Sequence, residues 1–72
     1  MNRNEIKKKL PIGGMSQIAK ISGINLASIQ RFFKGETTKL DIEIIKATTK
    51  YLKEYNEEKE KAIQELKEVA SA

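Results

Sequence analysis

Gln30 and Arg31 are neighbours whose side chains suit one kind of chemistry, hydrogen bonding to the edges of nucleic-acid bases. A guanidinium offers paired donors that match O6 and N7 of guanine. A carboxamide offers a donor and an acceptor that match N6 and N7 of adenine. Just before them, Asn25 and Ser28 add short polar groups, and Leu26 and Ala27 add apolar surface suited to a thymine methyl. Other chemistry has little to draw on. The absence of Cys and His removes thiolate nucleophiles, disulfides and nearly every zinc site. It also leaves no side chain that ordinarily titrates near neutral pH. Glu57, Glu58, Glu60, Glu65 and Glu68 stand without a histidine, a nucleophile or an enclosing pocket. The expectation is therefore no enzyme, no cofactor, no metal and no small-molecule substrate.

These residues need a scaffold, and the surrounding spacing supplies helices. Glu, Lys, Ala, Leu and Ile dominate, and strict period-2 alternation is absent, so the expected class is all-α. A first helix over about Arg3–Leu10 puts Ile6 and Leu10 on one face, with Asn2 or Asn4 as cap and Pro11 as stop. Gly13-Gly14 reads as a sharp turn, because no Gly-x-x-x-x-Gly-Lys-Ser/Thr phosphate loop follows. A second helix over about Met15–Ile21 faces Ile18 and Ile21 inward and leaves Ala19 small for a crossing helix. Gly23 ends it in the left-handed conformation. Asn25 caps a third helix, about Leu26–Lys34, which Gly35 closes. Its Ile29, Phe32 and Phe33 form the core face. The two rings have faces for stacking on single-stranded bases, but adjacent aromatics ending an apolar-periodic helix read as core.

A fourth helix, capped by Asp41 or Thr38, has Ile42, Ile45, Thr49 and Leu52 on one face and runs on to Ala70. The predicted architecture is a four-helix helix-turn-helix domain with a long C-terminal helix extending beyond the compact core. Residues 1–54 form the domain and 55–72 a helical extension for oligomerisation.

Ile18-Ala19, Ser22-Gly23-Ile24-Asn25, Ile29 to Gly35 and then Ile42 to Leu52 resemble the helix-turn-helix of the phage repressor and Cro superfamily, including the short headpieces of lactose-repressor-type proteins. The resemblance covers about Leu10 to Leu52, and the lead-in LPIGGMSQIAK looks like small regulators of bacteria and phages. Ser22 departs from the pattern, standing where the family has a larger or apolar residue, which implies looser packing under the turn. The loop Glu36–Leu40 is about one residue longer than the common repressor spacing and lacks its proline. The resemblance implies double-stranded DNA as partner. Base edges would be reached by Asn25, Leu26, Ala27 and Ser28, then by Gln30 and Arg31 a turn later.

Each reader has a plainer role open to it. Leu26 could pack against the fourth helix, and Arg31 could be a solvated surface charge. Ser16, Gln17, Lys20, Lys34 and Lys39 are candidates for phosphate contacts, which position a protein without reading sequence. Gln17 lies in the first turn of the second helix, whose amide dipoles also favour an anion. Lys7-Lys8-Lys9 is either a backbone-binding edge or a solvated helix face.

The charge is divided to match. Residues 1–54 carry 11 Lys/Arg against 5 Asp/Glu, and residues 55–72 carry 3 against 5. A basic front and an acidic rear suit a protein that turns one face to a polyanion. No run approaches the ~18 apolar residues of a membrane span, and the N-terminus lacks the apolar stretch of a signal peptide. A cytoplasmic site of action, in a bacterial cell or a phage-infected host, is expected. In the tail, Tyr55, Ala62, Ile63, Leu66 and Val69 make an apolar stripe suited to a homodimer. Sequence-specific DNA binding by a dimeric regulator is the leading expectation. A non-catalytic helical interaction or virion-associated module, using the tail for partners, is the alternative.

Overall fold

The computed structural model describes residues 3–71 as four helices: α1 (Arg3–Lys9), α2 (Gly14–Ser22), α3 (Leu26–Phe33) and α4 (Asp41–Ser71). The all-α class and the long last helix are as the sequence predicts. α2 packs against α3 and α4, and α1 lies across α3. None of the described helices is long and apolar enough to cross a membrane. The molecule measures 51 × 23 × 17 Å, and its long axis reflects the length of α4.

The core is small. Ile18 of α2, Ile29, Phe32 and Phe33 of α3, and Ile44 of α4 are buried. Ile6, Leu10, Met15, Ala19, Ile24, Ala47 and Tyr51 pack around them. Each large buried side chain contributes about 1.5–3 kcal/mol. The rings of Phe32 and Phe33 meet edge to face at 5.1 Å, which completes their assignment to the interior.

Local chemistry explains the turns. Gly13 and Gly23 have φ of 75° and 72°, in the left-handed region that glycine enters without penalty. Gly14 is favoured for a different reason. A Cβ there would lie 3.1 Å from Leu10 Cβ and 3.3 Å from Pro11 Cδ, so a side chain at this position would press the end of α1 aside by a few tenths of an ångström. α4 is started by hydrogen bonds around Thr38 and Asp41. The Asp41 carboxylate accepts from the Thr38 N–H (2.9 Å) and hydroxyl (2.8 Å), and that hydroxyl accepts from the Leu40 N–H (3.1 Å). Both proposed caps therefore take part.

Several expectations are corrected. Asn4 lies within the first turn of α1 rather than ahead of it, and Asn2 lies outside the described residues. Ile21 is 47% exposed at the rim, because α2 turns Gly14 and Ile18 inward instead. The face of α4 is also different. Ile44 and Thr48 are buried, with Ala47 and Tyr51 beside them, whereas Ile42 is 65% and Ile45 37% exposed. Both lines recur at helical spacing on α4. The crossing of α2 selects the one that includes the smaller Ala47.

Candidate nucleic-acid interface

α3 is held at both ends by groups that its sequence supplies. At its start, Asn25 Oδ1 accepts from the Ala27 N–H at 2.9 Å. Ser22 fixes the preceding turn. Its hydroxyl donates to the Ile18 carbonyl (2.7 Å) and accepts from the Ile24 N–H (3.2 Å), while the Gly23 N–H reaches the Ala19 carbonyl (2.9 Å). Ser22 thus fastens the turn through hydrogen bonds, where an apolar residue would do so only by packing. At the other end, Gly35, with φ of 100°, and Glu36 donate to the carbonyls of Phe32 and Arg31.

One residue that sequence reasoning passed over secures this end further. Arg3 Nη1 donates to the carbonyls of Phe32 and Glu36, each at 3.0 Å, and its guanidinium lies 4.2 Å from the centre of the Phe32 ring. Its second terminal nitrogen is 3.9 Å from Asp41 Oδ2. The start of α1, the end of α3 and the start of α4 are joined through a single side chain. No local signal marks it, since its partners lie 29 and 33 residues away.

The outward side of α3 presents Ala27, Gln30, Arg31 and Lys34, all exposed. Leu26 and Ser28 are half-buried on its flanks, and the oxygen of Asn25 is engaged as the cap. Leu26 and Gln30 line one wall of a groove of about 250 Å³, whose other wall includes Lys7, Leu10, Gly14 and Ser16. Among the described residues, no acidic side chain lines that groove.

The phosphate candidates divide around this face. Ser16 shares the groove with Gln30, and Lys34 caps the end of α3. Lys20 is exposed on the last turn of α2, and Lys39 is exposed on the loop leading to α4. Gln17 faces elsewhere, into a cleft with Ile21, Tyr51, Tyr55, Glu54 and Glu58, whose two carboxylates repel an anion. Lys7 is the member of the lysine run that borders the groove.

In the tail, Tyr55 stacks on Tyr51 at 6.3 Å and is half-buried within its own chain. Ala62, Ile63, Leu66 and Val69 are exposed, and α4 crosses position 54 without interruption. No protein-family model, curated protein or solved structure matches the chain.

Proposed function

We propose that this protein binds double-stranded DNA sequence-specifically through α3, as a small transcriptional regulator of bacterial or phage type. The observation that carries the reading is the outward face of α3. Arg31, Gln30 and Lys34 project from a short helix capped at both ends, beside a groove bordered by Lys7 and free of carboxylates. A helix of this size fits the major groove, where Arg31 pairs with guanine and Gln30 with adenine. Lys7, Ser16, Lys20 and Lys34 then contact phosphates and set the register. Ala27 is small enough to let α3 approach the base edges.

Such a protein acts by occupying an operator, without catalysis, cofactor, small-molecule substrate or membrane. As a dimer it reads two half-sites. One observation favours the alternative of a non-catalytic interaction module. The last turns of α4 present Ile63, Leu66 and Val69 to solvent. Titration against random and selected duplexes at two salt concentrations separates the two readings. A regulator binds selected sites tightly and loses affinity steeply as salt rises. Weak binding that is equal for every duplex overturns the DNA reading.

A further inference from the structure

Besides the line it buries, α4 carries a second one. From Ile42 to Ala70, steps of three and four residues alternate without a break. Ile42, Ile45, Thr49 and Leu52 occupy the half beside the domain, and Ile63, Leu66 and Ala70 occupy the tail half. Asn56 and Lys59 stand between them. This is a seven-residue repeat with apolar residues at six of its nine first and fourth positions, the pattern that packs one helix along another. Much of it is open within the chain: Ile42 is 65%, Ile63 42% and Leu66 67% exposed, whereas Ile45 (37%) and Leu52 are partly covered by the domain. Thr49 has turned its hydroxyl back to the Ile45 carbonyl at 2.8 Å, so it makes no polar demand on a neighbour. The domain half also borders a groove of about 100 Å³ walled by Ile6, Phe32 and Phe33. In that groove the Thr48 hydroxyl is buried without a partner.

We propose that a second copy of this chain covers this line from Ile45 to Ala70, running antiparallel, so that each tail lies along the other copy's groove. The seven-residue period points to a helix as the occupant, since a globular surface has no need of it. The two polar positions select the direction. In a parallel, in-register pair, Lys59 meets Lys59 of the second copy inside the seam, two like charges in a poorly hydrated place. In the antiparallel pair, Lys59 meets Asn56 of the second copy, an ammonium donor against a carboxamide oxygen. The two-fold axis makes this pairing twice.

The same register sets Ile63 against Leu52, Leu66 against Thr49 and Ala70 against Ile45, so every tail residue finds an apolar or satisfied partner. On the flank it brings Lys53 beside Glu60 of the second copy. The tail then closes the groove that Phe32 and Phe33 leave open. Equivalent points on the two domains, such as Ile44, lie about 40 Å apart along the paired helices. That is close to the ~34–36 Å between half-sites one DNA turn apart.

The proposal rests on the dimeric part of the function proposed above and not on DNA binding, so it is tested without DNA. The chain has no cysteine, which makes introduced ones unambiguous. Full-length Leu52→Cys and Ile63→Cys, one carrying a mass tag, are mixed and oxidised. The expected product is the mixed 52–63 dimer, with little linkage of either variant to itself. Leu66→Cys mixed with Thr49→Cys repeats the test one layer along, should Leu52→Cys disturb the core. Self-linkage of each variant means a parallel pair, and overturns the antiparallel register while leaving a dimeric regulator standing. Sedimentation of the wild type as a monomer at all concentrations means that another partner, or none, covers the line, and overturns the proposal. The DNA titration fails or succeeds independently of either result.

Discussion

At the scale of single residues, Arg31 and Arg3 show how one side-chain type takes two roles. Arg31 is exposed on the outward face of α3, where the function proposed above has it engage a base. Truncation to Ala is expected to cost about 1–3 kcal/mol of binding and to relax preference at one base position. Site selection on the variant checks this, and unchanged selectivity would assign the reading to another face. Arg3 spends the same fork on the protein itself, on the carbonyls of Phe32 and Glu36 and on the Phe32 ring. Arg3→Met is expected to lower unfolding stability by about 1–2 kcal/mol, read as a shift in denaturant midpoint. Arg3→Lys recovers only part of it, because one ammonium cannot reproduce a planar fork. The resemblance to a repressor motif brought Arg31 forward as a reader. Arg3 was invisible, since its role depends on carbonyls that only folding brings to it.

At the scale of elements, the turn before α3 and the face of α4 are the informative cases. Ser22 and Gly23 hold the turn by hydroxyl bonds and by a left-handed φ. Ser22→Ala is expected to cost about 1 kcal/mol through the lost bonds, and Gly23→Ala about as much through backbone strain. Thermal unfolding of both variants measures it, and no change in Ser22→Ala would restore the looser packing that the sequence implied. On α4, Thr48 Oγ1 is the buried side-chain polar atom left without a partner among the described residues. Thr48→Val removes that unmet donor at nearly constant shape and is expected to raise stability by about 1 kcal/mol. A drop would reveal a water or partner group on the hydroxyl.

The element boundaries were legible because Pro11, Gly23, Asn25 and Gly35 are strong local signals. The facing of α4 was not. Two apolar lines about a quarter-turn apart, one through Ile44 and Thr48 and one through Ile45 and Leu52, fit the helical period equally well. Only the crossing with α2 chooses between them. The choice is informative in itself, since the rejected line stays apolar in both halves of the helix, on either side of Asn56 and Lys59. A face kept apolar without a core to fill has a use elsewhere.

At the scale of the whole molecule, the basic front and the long α4 combine into a statement about binding. On the function proposed above, a domain this small, with Gln30 and Arg31 as its base readers, would specify a short site and bind it weakly. Joining two such domains makes the second contact intramolecular, which raises apparent affinity by roughly 10²–10⁴ when the sites can be engaged together. Ile63→Glu with Leu66→Glu changes only exposed positions, so each domain keeps its fold and its α3 face. The double variant is expected to bind a single half-site as well as the wild type does. On two half-sites about one DNA turn apart it is expected to lose most of that gain, together with about half of the salt slope, because half of the phosphate contacts are gone. Moving the half-sites apart by half a turn places the second on the opposite side of the duplex. This should cost the wild type the same gain and leave the variant unaffected. Equal affinity of both proteins for every spacing would mean that the domains act singly on DNA, and that α4 serves something other than the pairing of half-sites.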